Sequence, residues 1–221
     1  DELESAEDFH TALTALLRRT IKEHKRILFN GDGYSEEWQA EAARRGLSNL
    51  RSTVDALPAF VSEKSIALFT SHHVYTETEL RSRYEIMLET YSKVINIEAL
   101  TMAEMVKKEI FPAVTKYSGK LAGIVRDKKA VDADIPVQAE TALLRRISAL
   151  TCSMTDRLDA LESALLGVSE HTGSNLETAR YYHDAVLSGM QDLRAVVDEI
   201  ESCTSEEDWP YPTYGDLLFR V

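Results

Sequence analysis

Apolar residues recur every three or four positions along most of this chain, and this pattern constrains the fold more than any other feature. Three segments carry it in long runs, namely 80–121, 143–165 and 176–200. A helix buries one face at this spacing, whereas a half-buried strand alternates apolar and polar residues, and no segment shows that alternation. The sequence therefore predicts an all-α fold organised as a helical bundle.

The first run predicts one long helix near the centre of the bundle. It follows Thr76, the N-cap of a capping box whose N3 residue is Glu79. Its apolar residues form two stripes, the first made of Leu80, Tyr84, Met87, Tyr91 and Val94, and the second of Ile95, Ala99, Met102, Val106, Ile110, Ala113, Tyr117 and Leu121. We expect a helix from about 77 to 127 that is covered on two sides. It should be kinked at Pro112, because proline removes a backbone donor and clashes with the preceding turn.

The two later runs predict an antiparallel helical hairpin over 137–204. Pro136 stands where proline suits the first turn of a helix, and Ser174 opens a second capping box with Glu177 at its N3 position. A short turn, 167–173, joins two helices whose apolar faces both repeat every three or four residues. Because such helices bury their faces against each other, we expect them to pack side by side in opposite directions.

The composition changes after Glu206, where the sequence becomes an extended, aromatic C-terminal tail. This tail is too short to form a core of its own, so it must dock on this domain or on another subunit. We therefore divide the chain into a helical connector (1–60), a helical bundle (61–205) and a docking tail (206–221). The chain starts at Asp1 rather than at a methionine, which is typical of an excised domain or a processed chain.

Charge and cysteine content limit the classes of partner. The chain has 25 lysines and arginines against 37 aspartates and glutamates, a net charge of −12. Such a chain repels phosphate backbones and anionic lipid, so neither nucleic acid nor a membrane is an expected partner. No apolar stretch is long enough to cross a bilayer. Two cysteines make no disulfide framework, which favours a reducing, cytoplasmic location.

The candidate chemical motifs in this sequence are weak. Asn30-Gly31-Asp32-Gly33 is typical of a tight turn before a helix, since the rest of a phosphate-binding or calcium-binding motif is missing. Glu7 and His10 form a single Glu-x-x-His pair, whereas a di-metal bundle needs two such pairs and further carboxylates. No spacing suggests a nucleophile with its base. The sequence therefore predicts no catalytic, cofactor-binding or metal site within this chain.

Four polar side chains fall on or beside the apolar stripes and are candidates for burial, namely Glu85, Asn96, Glu98 and His183. Glu98 continues the stripe that ends at Val94, where leucine would be the ordinary residue. Because a buried carboxylate is costly unless it is paired, we expect an internal ion pair there. The alternative is a polar hub that fixes helix register or binds a small effector. His183 is more typical of a core histidine than of a metal ligand.

Large aromatic residues outside the stripes are candidates for contacts with other chains, because aromatic side chains with a polar end are enriched at interfaces. These candidates are Tyr34, Trp38, Trp209, Tyr211, Tyr214 and Phe219.

Several longer strings resemble the C-terminal region of type III glutamine synthetases. They are Asn30-Gly31-Asp32-Gly33-Tyr34-Ser35, Arg45-Gly46-Leu47, Asp55-Ala56-Leu57-Pro58, Ser82-Arg83-Tyr84-Glu85, Asn96-Ile97-Glu98-Ala99-Leu100-Thr101-Met102, Lys107-Lys108-Glu109-Ile110, and Trp209-Pro210 with Pro212-Thr213-Tyr214-Gly215-Asp216-Leu217-Leu218-Phe219. The strings spread over nearly the whole chain, and only the hairpin from about 131 to 205 matches mainly in pattern.

This resemblance implies a role as part of a larger enzyme. The family ligates ammonia to glutamate with ATP and a divalent metal such as magnesium, through γ-glutamyl phosphate, in large homo-oligomeric rings. Its catalytic residues lie upstream of the matching region, so none is carried over to this chain. Residues 1–60 would then lead toward a catalytic core, and the domain would serve subunit packing, assembly or regulation. Its partners would be that core and the neighbouring subunits.

Two other interpretations of the sequence remain open. The chain could be a free-standing helical interaction module without enzyme activity, with the aromatic tail as its docking peptide. It could also be a bundle that binds a small effector near Glu98.

Overall fold

The structure, a computed structural model, describes residues 3–4, 7–28, 30–212 and 214–219. Every regular element among these residues is helical, which confirms the all-α prediction. The α-helices are α1 (Phe9–Glu23), α2 (Glu36–Arg44), α3 (Thr53–Phe60), α4 (Glu63–Ser71), α5 (Glu77–Met105), α6 (Phe111–Val131), α7 (Gln138–Gly167), α8 (Asn175–Tyr181), α9 (Ser188–Cys203) and α10 (Tyr214–Phe219). The chain divides into two compact units, Asp1–Ser52 and Thr53–Val221. Helix α3, which the sequence assigned to the connector, lies in the second unit.

The long central helix forms as predicted and reaches Val131. Its backbone stays helical from α5 into α6, with φ −62° and ψ −47° at Val106. One π-helical turn, Val106–Ile110, separates the two helices and lies directly before Pro112. A π-turn is one of the few features that interrupt a helix sharply, and here it accompanies the proline that lacks a backbone donor.

Contacts along α7 show that it runs antiparallel to the long helix. Lys107 pairs with Glu162 near the C-terminal end of α7, and Lys128 pairs with Glu140 near its N-terminal end. The partner numbers fall along α7 as they rise along the long helix, which is the signature of antiparallel packing.

The hairpin predicted over 137–204 is confirmed in the same way. Arg146 Nη2 lies 3.0 Å from a carboxylate oxygen of Glu199, and Arg157 Nη1 lies 3.4 Å from one of Asp192. Helices α7 and α9 therefore run in opposite directions. Thr76 and Ser174 both cap helices as expected, Thr76 in a complete capping box with Glu79.

The three long elements enclose one main core, formed by Ile95, Ala99, Ala103, Val106, Ile110, Val114, Leu121, Ile147, Met154, Leu158, Leu161, Tyr182, Val186, Met190, Leu193 and Ile200. A second cluster of Val54, Leu88 and Ala179 joins α3, α5 and α8. Burial of these side chains supplies the main stabilisation of the second unit.

The first apolar stripe of the long helix is offset from its predicted position. Leu88 is fully buried, whereas Met87 is 37% exposed and Val94 is 46% exposed. The chain steps four residues from Tyr84 to Leu88 and reaches Ile95 from there, so α5 buries a single continuous face. Glu98 therefore does not continue a buried stripe, because Ala99 takes the core position beside it.

Candidate functional site

The first unit leaves the apolar face of α1 uncovered. Phe9, Leu17 and Ile21 are 52%, 52% and 56% exposed, and no residue that the structure describes in this unit is buried. Cations follow along the same helix and the turn after it: Arg18, Arg19, Lys22, Lys25 and Arg26. An exposed apolar face on an amphipathic helix is typical of a surface that binds another protein segment.

Arg45 holds the segment between α1 and α2. Its Nη1 donates to the backbone carbonyls of Arg26 and Leu28 at 3.1 and 2.7 Å, and its Nε donates to Glu41 at 2.6 Å. Hydrogen bonds from Arg44 and Arg45 lower the pKa of Glu41 to about 2. The carboxylate therefore stays ionised and fixes Arg45 in place over the physiological range.

The two aromatic candidates in this unit have different surroundings. Tyr34 is 98% exposed, at the tight turn predicted from the Asn-Gly-Asp-Gly string. Trp38 is half-buried in α2, with the Arg45 guanidinium 5.7 Å from its ring centroid. Of the two, Tyr34 offers the larger free surface to a partner.

The second unit contains a groove of about 520 Å³ between the middle of the long helix, α9 and the tail. Its floor is apolar and includes Met102, Met105 and Met190. Two exposed acidic residues also line it, Glu98 from α5 and Glu201 from α9. The rest of the charged and aromatic lining comes from Arg194 and Asp198 of α9 and from Trp209 and Tyr211 of the tail.

Asp208 fixes the start of the tail on α6. It is only 8% exposed, and its carboxylate oxygens accept hydrogen bonds from Lys120 Nζ at 2.7 and 2.8 Å. Ser205 Oγ donates a third bond at 3.1 Å, and Lys116 Nζ lies 3.7 Å away. The bond from Lys120 is the main cause that lowers the pKa of Asp208. The tail therefore docks on its own domain at this point.

The remaining aromatic candidates separate along the tail. Trp209 and Tyr211 pack against the main core, with ring centroids 6.4 Å apart. The Tyr211 hydroxyl oxygen is buried and forms no hydrogen bond of normal geometry among the described residues. Burial and the nearby Glu109 carboxylate raise the pKa of Tyr211 to about 12. Phe219 is 80% exposed, and the side chain of Tyr214 lies outside the described residues.

The tail is not extended throughout, because Tyr214–Phe219 form the short helix α10. Leu217 and Leu218 are exposed there together with Phe219, so the end of the chain offers apolar side chains to another surface.

The four predicted buried polar residues do not form one cluster. The burial prediction is wrong for Glu85 and Glu98, which are exposed. Glu85 accepts a hydrogen bond from Asn175 Nδ2 at 2.7 Å. Asn96 is half-buried and accepts a hydrogen bond from the Tyr182 hydroxyl at 3.1 Å, which ties α5 to the π-turn before α9.

His183 lies beside the core rather than in it. Its Nδ1 is 2.7 Å from an Asp184 oxygen, and the ring is half-buried. Tyr182 takes the core position instead, because residues Tyr182–Leu187 form a π-turn that changes the spacing of the buried face.

Sequence reasoning missed a second apolar surface on α5. Ile86, Val94, Ile97 and Leu100 are 56%, 46%, 62% and 53% exposed on the side away from the core. The signal was present in the sequence, since Ile86, Ile97 and Leu100 recur at helical spacing outside the two predicted stripes, whereas Val94 was assigned to the first stripe. Ile97 places this surface beside the groove.

The described part of the chain holds no group of three or more His, Cys, Asp or Glu side chains arranged to bind a metal ion. Within the same residues, every helix is too short or too polar to span a bilayer.

Comparison with known proteins matches the sequence of this chain to one family. Residues 12–129 match the sequence profile of the glutamine synthetase C-terminal domain. A glutamine synthetase of Butyrivibrio fibrisolvens is 40% identical over 218 residues, which cover 98% of this chain and 31% of that protein. The type-3 glutamine synthetase of Dictyostelium discoideum is 31% identical over 218 residues, covering 95% of this chain and 29% of that protein. A glutamine synthetase of Bacteroides fragilis (strain YCH46) is 30% identical over 216 residues, covering 94% and 29%.

The chain thus spans about a third of the length of these relatives. The profile match includes α1 from residue 12 onward, with Leu17 and Ile21 of its uncovered face, and most of the long central helix. On this evidence the chain belongs to the glutamine synthetase C-terminal domain family.

Proposed function

We propose that this chain is the non-catalytic C-terminal part of a glutamine synthetase and packs against the catalytic part and neighbouring subunits of the same enzyme. The whole protein would ligate ammonia to glutamate in the cytoplasm with ATP and magnesium, as a homo-oligomer. The domain would contribute to assembly or its regulation. Family membership supports this proposal over a free-standing interaction module.

The observation that carries the proposal is the uncovered apolar face of α1, in a unit whose described residues include none that is buried. Leu17 and Ile21 are both more than half exposed, and Phe9 extends the same face. A segment with so little buried apolar area gains little stability from its own packing. Its natural cover is the larger part of the enzyme, because the relatives are about three times as long as this chain.

The test places charge on that face in the full-length enzyme. Leu17→Glu with Ile21→Glu should lower the oligomer mass measured by light scattering, the rate of glutamine formation, or both, because a buried unpaired carboxylate opposes packing. Leu166→Glu is the matched control, since Leu166 is 79% exposed on α7. The 221-residue chain with the α1 substitutions should unfold at an unchanged temperature. Unchanged mass and activity of the full-length variant would remove the proposal.

The tail offers a second test, because its two halves have different contacts. Truncation after Glu206 removes Asp208 and Trp209, which pack on the domain itself, whereas truncation after Pro212 keeps them and removes the exposed Leu217–Phe219 end. If the tail docks on another subunit, both truncations lower the oligomer mass. If only the longer truncation does so, the tail acts within its own domain.

A further inference from the structure

The groove between the long helix, α9 and the tail has a floor suited to an apolar helix face. Three of the chain's five methionines, Met102, Met105 and Met190, line it. Methionine side chains are flexible and polarisable, so they adapt to the side chains of a docked segment. Ile97, 62% exposed at one edge, extends this floor onto the outer face of α5.

The edges of the groove carry uncompensated negative charge. Arg194 is the one base among the described lining residues, and it lies 3.4 Å from Asp198. Glu98 on α5 and Glu201 on α9 are exposed and form no ion pair among the described residues. The groove thus combines an apolar floor with an acidic residue on each of the two helices that line it.

We infer that this groove binds an amphipathic helix with lysine or arginine at its edges, contributed by the catalytic part of the same enzyme. Apolar residues at helical spacing fit the methionine floor, and the basic residues pair with Glu98 of α5 and Glu201 of α9. This is the helix-in-groove mode of recognition, with charge complementarity selecting the partner. The inference rests on the proposed function for the source of the helix, and on the groove alone for its chemistry.

A peptide of known chemistry tests the groove directly. In the 221-residue chain with Trp38→Phe, Trp209 is the single tryptophan and lines the groove. Titration with an 18-residue leucine–lysine peptide, its leucines at helical spacing, should shift Trp209 fluorescence to the blue and saturate. A leucine–glutamate peptide of the same pattern and a scrambled leucine–lysine peptide should not bind. Equal binding of all three would overturn the proposal.

Charge reversal locates the binding. Glu98→Lys with Glu201→Lys should weaken the leucine–lysine peptide about tenfold or more at low salt and admit the leucine–glutamate peptide instead. Asp156→Lys with Asp159→Lys makes the same change in net charge on exposed positions of α7 and should leave the affinity nearly unchanged. Ile97→Ser should weaken binding without reversing the charge preference. If both charge-reversed variants lose affinity equally, the peptide binds by net charge and the groove is not its site.

The full-length enzyme identifies the source of the helix. If the catalytic part already supplies it, the leucine–lysine peptide should bind the full-length enzyme at least tenfold more weakly than the 221-residue chain. Equal affinity for both would show that the groove is free in the enzyme and would overturn the proposed occupant. Peptide affinity tests only the occupant of the groove. The proposed function is tested separately, by the oligomer mass after substitution of α1.

Discussion

At the scale of single residues, the contact that anchors the tail is the pair formed by Asp208 and Lys120. Both carboxylate oxygens of Asp208 accept from one ammonium group, and Ser205 adds a hydroxyl donor. Asp208 is the buried partner of this pair, because its side chain is 2% exposed and that of Lys120 is 42% exposed, so its carboxylate depends on these hydrogen bonds to replace lost hydration.

We therefore expect Asp208→Asn to lower the midpoint of thermal unfolding and to loosen the tail. The pKa of Asp208 is lower in the folded chain than its value of 3.8 in the unfolded chain. The ionised carboxylate therefore stabilises the fold fully above pH 3.8, and this stabilisation is lost as the pH falls through the folded pKa. The Asp208→Asn variant should lack this loss of stability at acid pH. Glu207→Gln, an exposed neighbour, is the control. An Asn variant as stable as the parent at pH 7 would show that the pair does not hold the tail.

For the Tyr211 hydroxyl we expect the opposite result, namely no loss of stability when the group is removed. Because the buried oxygen forms no hydrogen bond of normal geometry among the described residues, Tyr211→Phe should leave the free energy of unfolding within about 1 kcal/mol of the parent or raise it. A loss of more than about 2 kcal/mol in urea unfolding would show that the hydroxyl has a partner in the folded chain.

Alkaline pH tests the same residue. The folded pKa of about 12 exceeds the ordinary tyrosine pKa of 10.0, so the unfolded chain loses the phenol proton first. The stabilisation of the fold by the neutral Tyr211 phenol is therefore complete below pH 10 and is lost as the pH rises toward 12. Tyr211→Phe should be less sensitive than the parent over that interval, in unfolding curves measured at pH 9 and at pH 11.

At the scale of elements, the end of α7 is held by one close approach. A side chain at Gly167 would place its Cβ 2.4 Å from the Tyr181 hydroxyl, which donates to the Ala164 carbonyl at 3.0 Å. The Tyr181 ring also stacks on His171, with centroids 4.1 Å apart. The ring therefore cannot move away without losing both contacts.

Gly167→Ala should destabilise the chain for this reason, whereas Gly123→Ala should stabilise it. Gly123 lies inside α6, and a Cβ there would meet only Arg126 at 3.8 Å, so alanine restricts the unfolded chain at no steric cost. We expect a difference of about 2 kcal/mol between the two variants in urea unfolding. Two variants of equal stability would contradict this account of the hairpin turn.

The elements also show how far the sequence determines the fold. Capping boxes and helical spacing predicted the long helix and the hairpin, because both signals act over a few residues. The position of the buried face was predicted less well. Met87 and Val94 are as apolar as core residues, and only the packing of α3, α7 and α8 on the long helix decides that Leu88 and Ile95 are buried instead. The exposure of Glu98 follows from that choice.

The sequence indicated some of the residues at the candidate surfaces, but it did not indicate the groove. Trp209 and Tyr211 were chosen as contact residues, and they do make contacts, but with their own domain. The groove beside them could not be predicted, because it is formed by residues about a hundred positions apart that meet only in the folded bundle. The turn at Tyr182 shows the same limit, since no local signal marks a π-turn there.

At the scale of the whole molecule, the two units differ in what holds them. The second unit, Thr53–Val221, encloses a core along three long elements, whereas the described residues of the first unit bury nothing. The second unit should therefore unfold cooperatively by itself. The first unit depends for its order on whatever surface covers the face formed by Phe9, Leu17 and Ile21.

Amide hydrogen exchange of α1 tests this dependence most directly. In the 221-residue chain, the amides of Phe9–Glu23 should exchange quickly, because the helix has no buried face to protect them. In the full-length enzyme the same amides should be protected by about tenfold or more, while those of α7 should change little. Equal exchange of α1 in the two proteins would contradict the claim that the remainder of the enzyme covers this helix.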